Sequence, residues 1–321
     1  MKALSTALLL ALAALASPLG YAQSFPDRPV RIIIPFPPGG ATDTLARVVS
    51  QKMAKTLGQP VVIENRAGAT GAIGSDAIAK AVPDGYNLLL ATSSTHVIAP
   101  AINPRLPYDA ARDFTPIAHL GSAAAMLLVP NNSPAKTVRN LIDIAAKNPG
   151  RLNYGSSGKG SYSHLVAAIF QAKTNTFMTH IPYKGTAAVV PDMIGGSIDF
   201  MFESIPVALP RVREGQLRAL GVTSPKRTAL APEFPAVAET VPGFESVIWY
   251  GLYGPKGMPE DVVQRISAAA NQALDDAEVK AQFARLGIDP AGGTAQQFAQ
   301  MVAADTVKWK RIASELKVSL D

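Results

Sequence analysis

The chain has 321 residues, of which 17% are charged, and a formal net charge of +6. It contains no cysteine, which excludes disulfides, thiol catalysis and cysteine-bound metals. Its lysines and arginines are scattered without interleaved aromatic residues, which argues against a nucleic-acid-binding surface. The mild positive charge favours anionic small ligands, although solubility alone explains it equally well.

The N-terminus has the pattern of a secretory signal peptide. Lys2 supplies a positive charge, and the run 7–16 is almost entirely Ala and Leu. This run is about 10 residues, well short of the roughly 20 needed to span a bilayer, although a retained anchor helix is the alternative. Small residues at Gly20 and Ala22 predict cleavage after Ala22. We therefore expect residues 1–22 to be a cleaved signal peptide and the mature protein to be periplasmic.

After this segment, the chain is long enough for two domains of about 100–200 residues each. Short apolar runs rich in β-branched residues alternate with longer amphipathic segments. We predict strands at 30–34, 61–63, 88–91, 124–129, 152–154, 179–182 and 198–202, and one that begins at Trp249. Helices are predicted at 42–57, 74–81, 138–147, 162–173, 186–194, 260–274, 276–286 and 295–316. The alternation indicates an α/β fold with mostly parallel sheets flanked by helices.

Three segments share one design, in which a strand ends, a turn rich in Gly, Ser or Thr follows, and a helix begins. They are 35–42, 155–161 and 183–186. The first N–H groups of a helix have no intrahelical partner, and the helix dipole adds partial positive charge there. Such a junction binds anions without a cationic side chain, and in an open α/β sheet it lies where ligands bind. The alternative is that these turns only connect elements.

Enzyme motifs are incomplete around the second of these turns. Asn153 stands where a phosphate-binding loop requires Gly, and Gly160 stands where Ser or Thr should follow Lys159. Lys159 also occupies the fifth position of a Gly-x-Ser-x-Gly motif around Ser157, where glycine is needed. The four histidines lack metal-ligand spacing and are interpreted as packing or capping residues: His96, His119, His164 and His180.

One acid and three aromatic residues are further candidates. Glu203 follows the predicted strand 198–202 and is the acid expected at a ligand cleft. It either binds a ligand ammonium or hydroxyl group or makes a structural hydrogen bond. Phe36 lies in the first turn, where it would cover a ligand's carbon skeleton, whereas Trp249 and Tyr250 begin a strand expected to cross between the domains. Core packing is the alternative for these aromatic residues.

Six motifs occur in order along the chain: PFPPGG at 35–40, VIENRAG at 62–68, LPYD at 106–109, NYGS at 153–156, PYKG at 182–185 and GGSID at 195–199. Together they resemble the Bug family, the extracytoplasmic solute receptors of tripartite tricarboxylate transporters. The resemblance implies a two-lobed, type II-like periplasmic binding protein with two crossover strands and no cofactor or metal. It also implies a small carboxylate ligand: a di- or tricarboxylate, an acidic amino acid or an aromatic acid.

The same resemblance implies a site in which the first turn and the 183–186 turn hold a carboxylate between the lobes. The implied anion donors are Gly39, Gly40, Gly185 and Thr186, and Ser156, Ser157, Gly160 and Ser161 are expected to meet the ligand's other end. The complete predicted set is Phe36, Pro38, Gly39, Gly40, Thr42, Thr70, Ser93, Ser94, Ser156, Ser157, Gly160, Ser161, Tyr183, Gly185, Thr186 and Glu203. Thr70 and Glu203 depart from the family pattern, and the loop with Ser93 and Ser94 varies in the family. These positions are expected to determine the ligand specificity.

The resemblance also gives expected lobes and partners. Lobe one is expected to comprise 24–124 and 249–321, and lobe two 125–248. The expected partner is an integral membrane permease, and the receptor itself is expected to be a monomer. One alternative is a periplasmic sensor subunit that presents a carboxylate to a two-component system. Another is a carboxylate-modifying enzyme with a reactive Ser157 or Lys184.

Overall fold

The computed structural model describes residues 25–159, 161–183 and 188–316, so the predicted signal peptide lies outside the described residues. Within these ranges the strands are β1 (Val30–Ile34), β2 (Val61–Asn65), β3 (Asn87–Thr92), β4 (Phe114–Pro130), β5 (Asn153–Ser156), β6 (Thr179–Pro182), β7 (Phe200–Ser204), β8 (Leu217–Val222), β9 (Val247–Pro255) and β10 (Ile288–Pro290). The α-helices are α1 (Ala41–Leu57), α2 (Ala72–Ala79), α3 (Ala99–Ile102), α4 (Val138–Lys147), α5 (Tyr162–Thr174), α6 (Val189–Ile194), α7 (Ile205–Arg213), α8 (Glu260–Asp275), α9 (Ala277–Arg285) and α10 (Ala295–Leu316).

Local sequence signals set several helix ends. Thr137 precedes α4, and its hydroxyl accepts a hydrogen bond from the N–H of Asn140 at 3.1 Å. Asp276 precedes α9, and its carboxylate accepts from two N–H groups of the first turn. Gly58 ends α1 in the left-handed conformation, with φ +73°. These are the residue types that satisfy unpaired backbone groups at helix starts and ends.

The strands form two sheets that share β4. The first sheet has the order β2-β1-β3-β9-β4, with β10 also paired to β4, and the second contains β4, β7, β5, β6 and β8. Every strand pair that does not involve β4 or β9 is parallel. The pairs formed by β4 and β9 are antiparallel. The predicted α/β class with parallel sheets and two crossover strands is confirmed, and the antiparallel pairs follow from the crossover strands.

The long strand β4 connects the two lobes. Its residues 114–124 pair with β9 in the first sheet. Its residues 125–130 pair with β7 and β8 in the second sheet. The change of partner falls between Ala124 and Ala125, and we call this point the crossover.

Helices cover both faces of the sheets. On one face of the first sheet, α1, α8 and α9 bury Ile32, Leu90 and Leu252. The opposite face buries Trp249 and Tyr253 in a larger apolar cluster that continues into the second lobe. Because this cluster joins both lobes, the lobes are packed through a shared apolar core at the crossover.

A network of buried hydrogen bonds surrounds the crossover. The hydroxyl of Thr223 accepts from the N–H of Ala125 at 2.8 Å and donates to the carbonyl of Ser246. The hydroxyl of Tyr162 donates to the same carbonyl at 2.9 Å. Thr223 and Ser246 are fully buried. The network therefore ties β4, the end of β8, the start of β9 and α5 together at one point.

We expect Thr223→Val to destabilise the protein by about 1.5 kcal/mol, because it leaves the buried N–H of Ala125 without an acceptor. Tyr162→Phe is the matched control. It removes one of the two donors to the Ser246 carbonyl, which stays paired, and should cost less than about 1 kcal/mol. Urea unfolding of the two variants measures both values. A cost of Tyr162→Phe equal to that of Thr223→Val would contradict this assignment.

Candidate ligand-binding site

The carboxyl ends of the parallel strands in both sheets point towards the crossover. In the first sheet, β3 ends at Thr92, which pairs with Tyr250, and Tyr250 pairs with Gly121 of β4. In the second sheet, β7 ends at Ser204, which pairs with Ala125. These two positions on β4 are four residues apart, or roughly 13 Å along the strand. The two carboxyl edges therefore lie next to one another, and we call the space between them the cleft.

The predicted site residues follow the strands that end at this cleft. In the first lobe, the segments after β1, β2 and β3 contain the candidates from Phe36 to Thr42, Thr70, Ser93 and Ser94. In the second lobe, the segments after β5 and β6 contain the candidates 156–161 and Tyr183, and Glu203 lies near the end of β7. Gly160, Gly185 and Thr186 lie outside the described residues. The topology thus places all the described candidates along the two facing edges.

The first turn presents free backbone donors. Gly40 precedes α1 in an extended conformation, and no side chain caps the helix there. Among the described residues, none accepts a hydrogen bond from the N–H of Gly40, Ala41 or Thr42. Gly40 and the preceding residues 37–39 are exposed. This exposed helix start has the donors and the partial positive charge that an anion site needs.

A buried carboxylate beneath the turn fixes its shape. Asp43 is only 5% exposed and accepts from the N–H of Gly39 at 3.0 Å. It also accepts two bonds of 3.0 Å from Arg47 and one from the amide of Asn65, which donates in addition to the carbonyl of Phe36. The hydrogen bond from Arg47 is the largest cause that lowers the pKa of Asp43 to about 2. Of the two glycine N–H groups predicted as anion donors in this turn, that of Gly39 is bonded to Asp43, whereas that of Gly40 has no acceptor within the described ranges.

The segment after β2 packs closely against the first turn. A Cβ at Gly74 would lie 2.9 Å from the Cα of Pro35, and one at Gly71 would lie 3.4 Å from its Cβ. Between these contacts and β2, Ala69 and Thr70 adopt φ values of +46° and +54°. Left-handed backbone is rare for a β-branched residue and is often found at ligand-binding positions. Thr70 is exposed at this edge.

The third first-lobe segment begins with two serines. Ser93 follows β3 and is fully buried, and its hydroxyl has no partner among the described residues. Ser94 starts a five-residue π-helix that ends at Ile98 and is only partly buried. Wide helical turns of this kind are frequent at functional sites. Of the two predicted serines, Ser94 is the one with an accessible surface.

The serine-rich turn of the second lobe is held mainly by its own hydrogen bonds. The Ser157 N–H donates to the hydroxyl of Ser163 at 3.0 Å, and the Gly158 N–H donates to the hydroxyl of Ser156 at 3.1 Å. The Ser161 hydroxyl caps α5 by accepting from the N–H of His164. Ser156 is fully buried. In this structure Ser156 therefore supports the turn, whereas Ser157 and Ser161 are partly accessible.

Two histidines pack beneath this turn. His180 lies 2.6 Å from the Ser156 hydroxyl and stacks on His164 with ring centroids 4.0 Å apart. Tyr154 also stacks on His180, with ring centroids 4.9 Å apart. Burial, with a smaller effect of His164, lowers the pKa of His180 to about 4. At neutral pH this histidine is thus an uncharged packing residue, as its position in the sequence predicts.

Tyr183 and Glu203 both make local contacts. The N–H of Tyr183 donates to the carbonyl of Ser156, which joins the two second-lobe turns, and its hydroxyl donates to Asp192 at 2.6 Å. Burial is the main cause that raises the pKa of Tyr183 to about 12. One oxygen of Glu203 accepts from the N–H and hydroxyl of Ser204. Glu203 was expected either to bind a ligand group or to make a structural hydrogen bond, and its carboxylate makes the structural hydrogen bond.

The two crossover aromatics belong to the core. Trp249 is buried and donates from its indole N–H to Asp305 at 2.9 Å, and Tyr250 is buried against the opposite face.

Among the described residues, no group of three His, Asp or Glu side chains is placed to hold a metal ion. No helix in the described ranges combines the length and apolarity needed to cross a membrane.

Sequence reasoning missed the residues that support the site. Asp43 and Arg47 lie one turn apart on α1, and Asn65 ends β2, so their network forms only when helix and strand are packed together. A polar residue in the first turn of a helix is usually a surface position. The one available signal was an Asp with an Arg four residues later, a spacing that allows an ion pair on any helix.

Comparisons with known proteins identify a family and several relatives of this chain. A family model described as the tripartite tricarboxylate transporter family receptor matches residues 45–318. A solved protein of R. palustris with adipate is 31% identical, has a TM-score of 0.79, and covers 92% of this chain and 99% of its own. MatC from Rhodopseudomonas palustris with bound malate is 33% identical, with a TM-score of 0.74 and coverage of 90% and 99%. The periplasmic binding protein BugD is 30% identical, with a TM-score of 0.75 and coverage of 92% and 99%.

The fold, with two sheets whose carboxyl edges border one cleft, is that of a two-lobed periplasmic binding protein. The chain belongs to the tripartite tricarboxylate transporter receptor family, because that family's model matches most of its length. The resemblance to the Bug family is thereby confirmed. Its relatives are solute receptors, which fits the expectation that the protein is not an enzyme.

Proposed function

We propose that the protein is an exported receptor that captures a small dicarboxylate in the cleft and delivers it to the membrane permease of a tripartite transporter. The observation that carries this proposal is the exposed start of α1, whose N–H groups at Gly40, Ala41 and Thr42 have no acceptor in the described part of the chain. Each charge-assisted hydrogen bond to a carboxylate contributes about 1.5–3 kcal/mol. Several such bonds support affinity in the micromolar range after the cost of association.

The ligand class is supported by two relatives. The relatives were solved with adipate and with malate, which both carry two carboxylates. A dicarboxylate would place one group at the first turn and its other end at the 156–161 turn. Segment 183–186 would complete the first carboxylate site. The serines of the second turn and Thr70 would contact the ligand's other end.

Binding would close the lobes around the ligand. The lobe limits 24–124 plus 249–321 and 125–248 remain a proposal, supported by the change of partner in β4 between Ala124 and Ala125. A ligand that contacts both carboxyl edges stabilises the closed form, because only that form makes both sets of contacts. The closed receptor would then be the form that docks on the permease.

A thermal-shift screen of the mature protein tests the ligand class. C4 to C6 dicarboxylates, among them malate and adipate, should raise the melting temperature in a concentration-dependent manner, because a ligand that binds only the folded state stabilises it. The dimethyl esters of the same acids are the matched control and should have no effect, since they lack the charge. Recovery of unchanged ligand by mass spectrometry distinguishes a receptor from an enzyme. Equal stabilisation by acid and ester would refute the proposal. So would a failure of every carboxylate to raise the melting temperature.

A further inference from the structure

One motif of the sequence, LPYD at 106–109, lies outside the predicted ligand-binding set but supports one of its segments. Tyr108 of this motif is 7% exposed, and its hydroxyl donates to the carbonyl of Thr95 at 2.7 Å. Thr95 directly follows Ser94 in the π-helix that starts after β3. The motif is therefore bonded to the backbone of the segment that contains Ser94.

A proline explains why this helical turn needs a donor from another segment. The N–H of Ala99 donates to the carbonyl of Ser94, which is the five-residue spacing of a π-helix. The next bond of this pattern would run from residue 100 to the carbonyl of Thr95, but Pro100 has no N–H. The hydroxyl of Tyr108 donates to that carbonyl instead. Tyr108 thus supplies a hydrogen bond that the backbone cannot make.

The side chain of Thr95 holds the same turn from the inside. Thr95 is fully buried, and its hydroxyl accepts from the N–H of Thr92 at 3.2 Å and donates to the carbonyl of Thr92 at 3.0 Å. Thr92 is the last residue of β3. These two bonds therefore fix the turn that contains Ser93 and Ser94 against the end of the strand.

The methyl group of Thr95 contacts a second segment of the predicted site. A Cβ at Gly71 would lie 2.7 Å from Cγ2 of Thr95, so the Thr95 methyl group packs directly on the backbone of Gly71. Gly71 follows Thr70, which has a φ of +54° and is exposed at the first-lobe edge. Thr95 thus lies between the backbone that contains Thr70 and the backbone that contains Ser94, the two segments expected to determine specificity.

We propose that Thr95 and Tyr108 are positioning residues that set the ligand specificity by holding Ser94 and Thr70 in one arrangement at the cleft. Both are buried and act only through the residues that they hold. The inference rests on the proposed function, because it requires a ligand that contacts Ser94 and Thr70. Groups that bind a ligand are effective when packed neighbours and hydrogen bonds hold them within about 0.5 Å of the productive geometry.

Calorimetry of the mature protein with malate and with adipate tests the role of Tyr108. Tyr108→Phe keeps the ring but removes the donor to Thr95. It should weaken binding of the acid that the wild type binds more tightly by about tenfold, the equivalent of one hydrogen bond. Tyr86→Phe is the matched control, because its hydroxyl is bonded to Asp27 beside the amino end of β3, roughly 17 Å along the strand from its cleft end. This variant should bind as the wild type does.

Double-mutant cycles distinguish positioning from a general effect on the fold. In a Ser94→Ala background the hydroxyl that is held in place is absent, so Tyr108→Phe should change the affinity less than about twofold. Thr95→Ser removes only the methyl group that contacts Gly71. It should weaken binding at least about threefold in the wild type, but not in a Thr70→Ala background. Since Thr95→Ser keeps the hydroxyl, it serves as the test if Tyr108→Phe does not fold.

Three results would overturn the inference. The first is an equal loss of affinity for Tyr108→Phe with and without Ser94→Ala, because Tyr108 would then act on the fold as a whole. The second is wild-type affinity in both Tyr108→Phe and Thr95→Ser. The third is a wild type that binds neither malate nor adipate, which would overturn the proposed function together with this inference. In the first two cases the wild type binds its ligand, so the proposed function stands.

Discussion

Gly40→Asp should weaken carboxylate binding at least about 100-fold while leaving the fold intact. Gly40 is exposed with φ −79°, and a Cβ there would have nothing within 4 Å, so the substitution causes no strain. Asp is a favoured residue at this position, because its carboxylate accepts from the free N–H groups of the first helical turn. The new side chain would thus occupy the donors that the ligand needs and would repel the ligand's charge. Loss of two charge-assisted bonds accounts for an effect of this size.

Two further substitutions at Gly40 separate the causes. Gly40→Ala adds only a methyl group in open space and should bind within a few-fold of the wild type. Gly40→Asn caps the helix without a charge, so its affinity should fall between those of the Ala and Asp variants. Affinity is measured by calorimetry and folding by the thermal transition, which should not fall for Gly40→Asp. Wild-type affinity in the Asp variant would show that the ligand binds elsewhere.

Asp43→Asn should destabilise the protein by about 2 kcal/mol at neutral pH and also weaken binding about tenfold. The folded-state pKa of about 2 lies almost two units below the unfolded value of about 3.9, at 1.36 kcal/mol per unit. Because the pKa is lowered on folding, this stabilisation is present above pH 4 and is lost as the pH falls towards 2. The binding effect follows because Asp43 positions the turn through the N–H of Gly39.

Urea unfolding of the wild type and the Asp43→Asn variant between pH 6 and pH 2 measures this effect. The difference in unfolding free energy should be largest at pH 6 and should vanish near pH 2. Arg47→Gln is the control, since it removes the ion pair but leaves Asp43 bonded to Gly39 and Asn65. The Arg47→Gln variant should lose less ligand affinity than the Asp43→Asn variant does. A stability difference that does not change with pH would contradict the assigned role of Asp43.

Much of the fold could be predicted because its elements have clear periodicity. The strand at β1 and the helices α4 and α10 have the predicted limits, since each has an unbroken pattern and an identifiable end. Two elements of the second lobe were missed. The segment that forms α7 contains Pro206 and Pro210, which argue against a helix, and Arg218 and Gly221 interrupt the apolar residues of β8.

The long crossover strand was only half predicted. Its residues 124–129 are continuously apolar, but the preceding part contains Pro116, His119 and Gly121, and its pairing is irregular on both sides of His119. An interrupted run of this kind does not show the alternation expected of a strand. This part of the chain forms a strand because it pairs with β9, which lies more than a hundred residues later in the chain. Local sequence contains no information about such a partner.

The candidate site could be predicted as a set of turns, but not as a hydrogen-bonding arrangement. Glycine and serine content identified the segments that follow β1 and β5, because helix starts of this composition are recognisable. The sequence does not show that Gly39 is bonded to Asp43, or that Ser156 is buried against His180. These contacts join different elements, and they decide which of the predicted donors remain free.

The central claim is that backbone N–H groups at helix starts on both carboxyl edges hold one carboxylate of the ligand. A crystal structure of the protein with a dicarboxylate identified by the thermal-shift screen tests it most directly. We expect carboxylate oxygens at hydrogen-bonding distance, about 2.7–3.1 Å, from the N–H groups of residues 40–42 and from segment 183–186. A ligand whose carboxylates are bound by arginine or lysine side chains, away from both turns, would contradict the account.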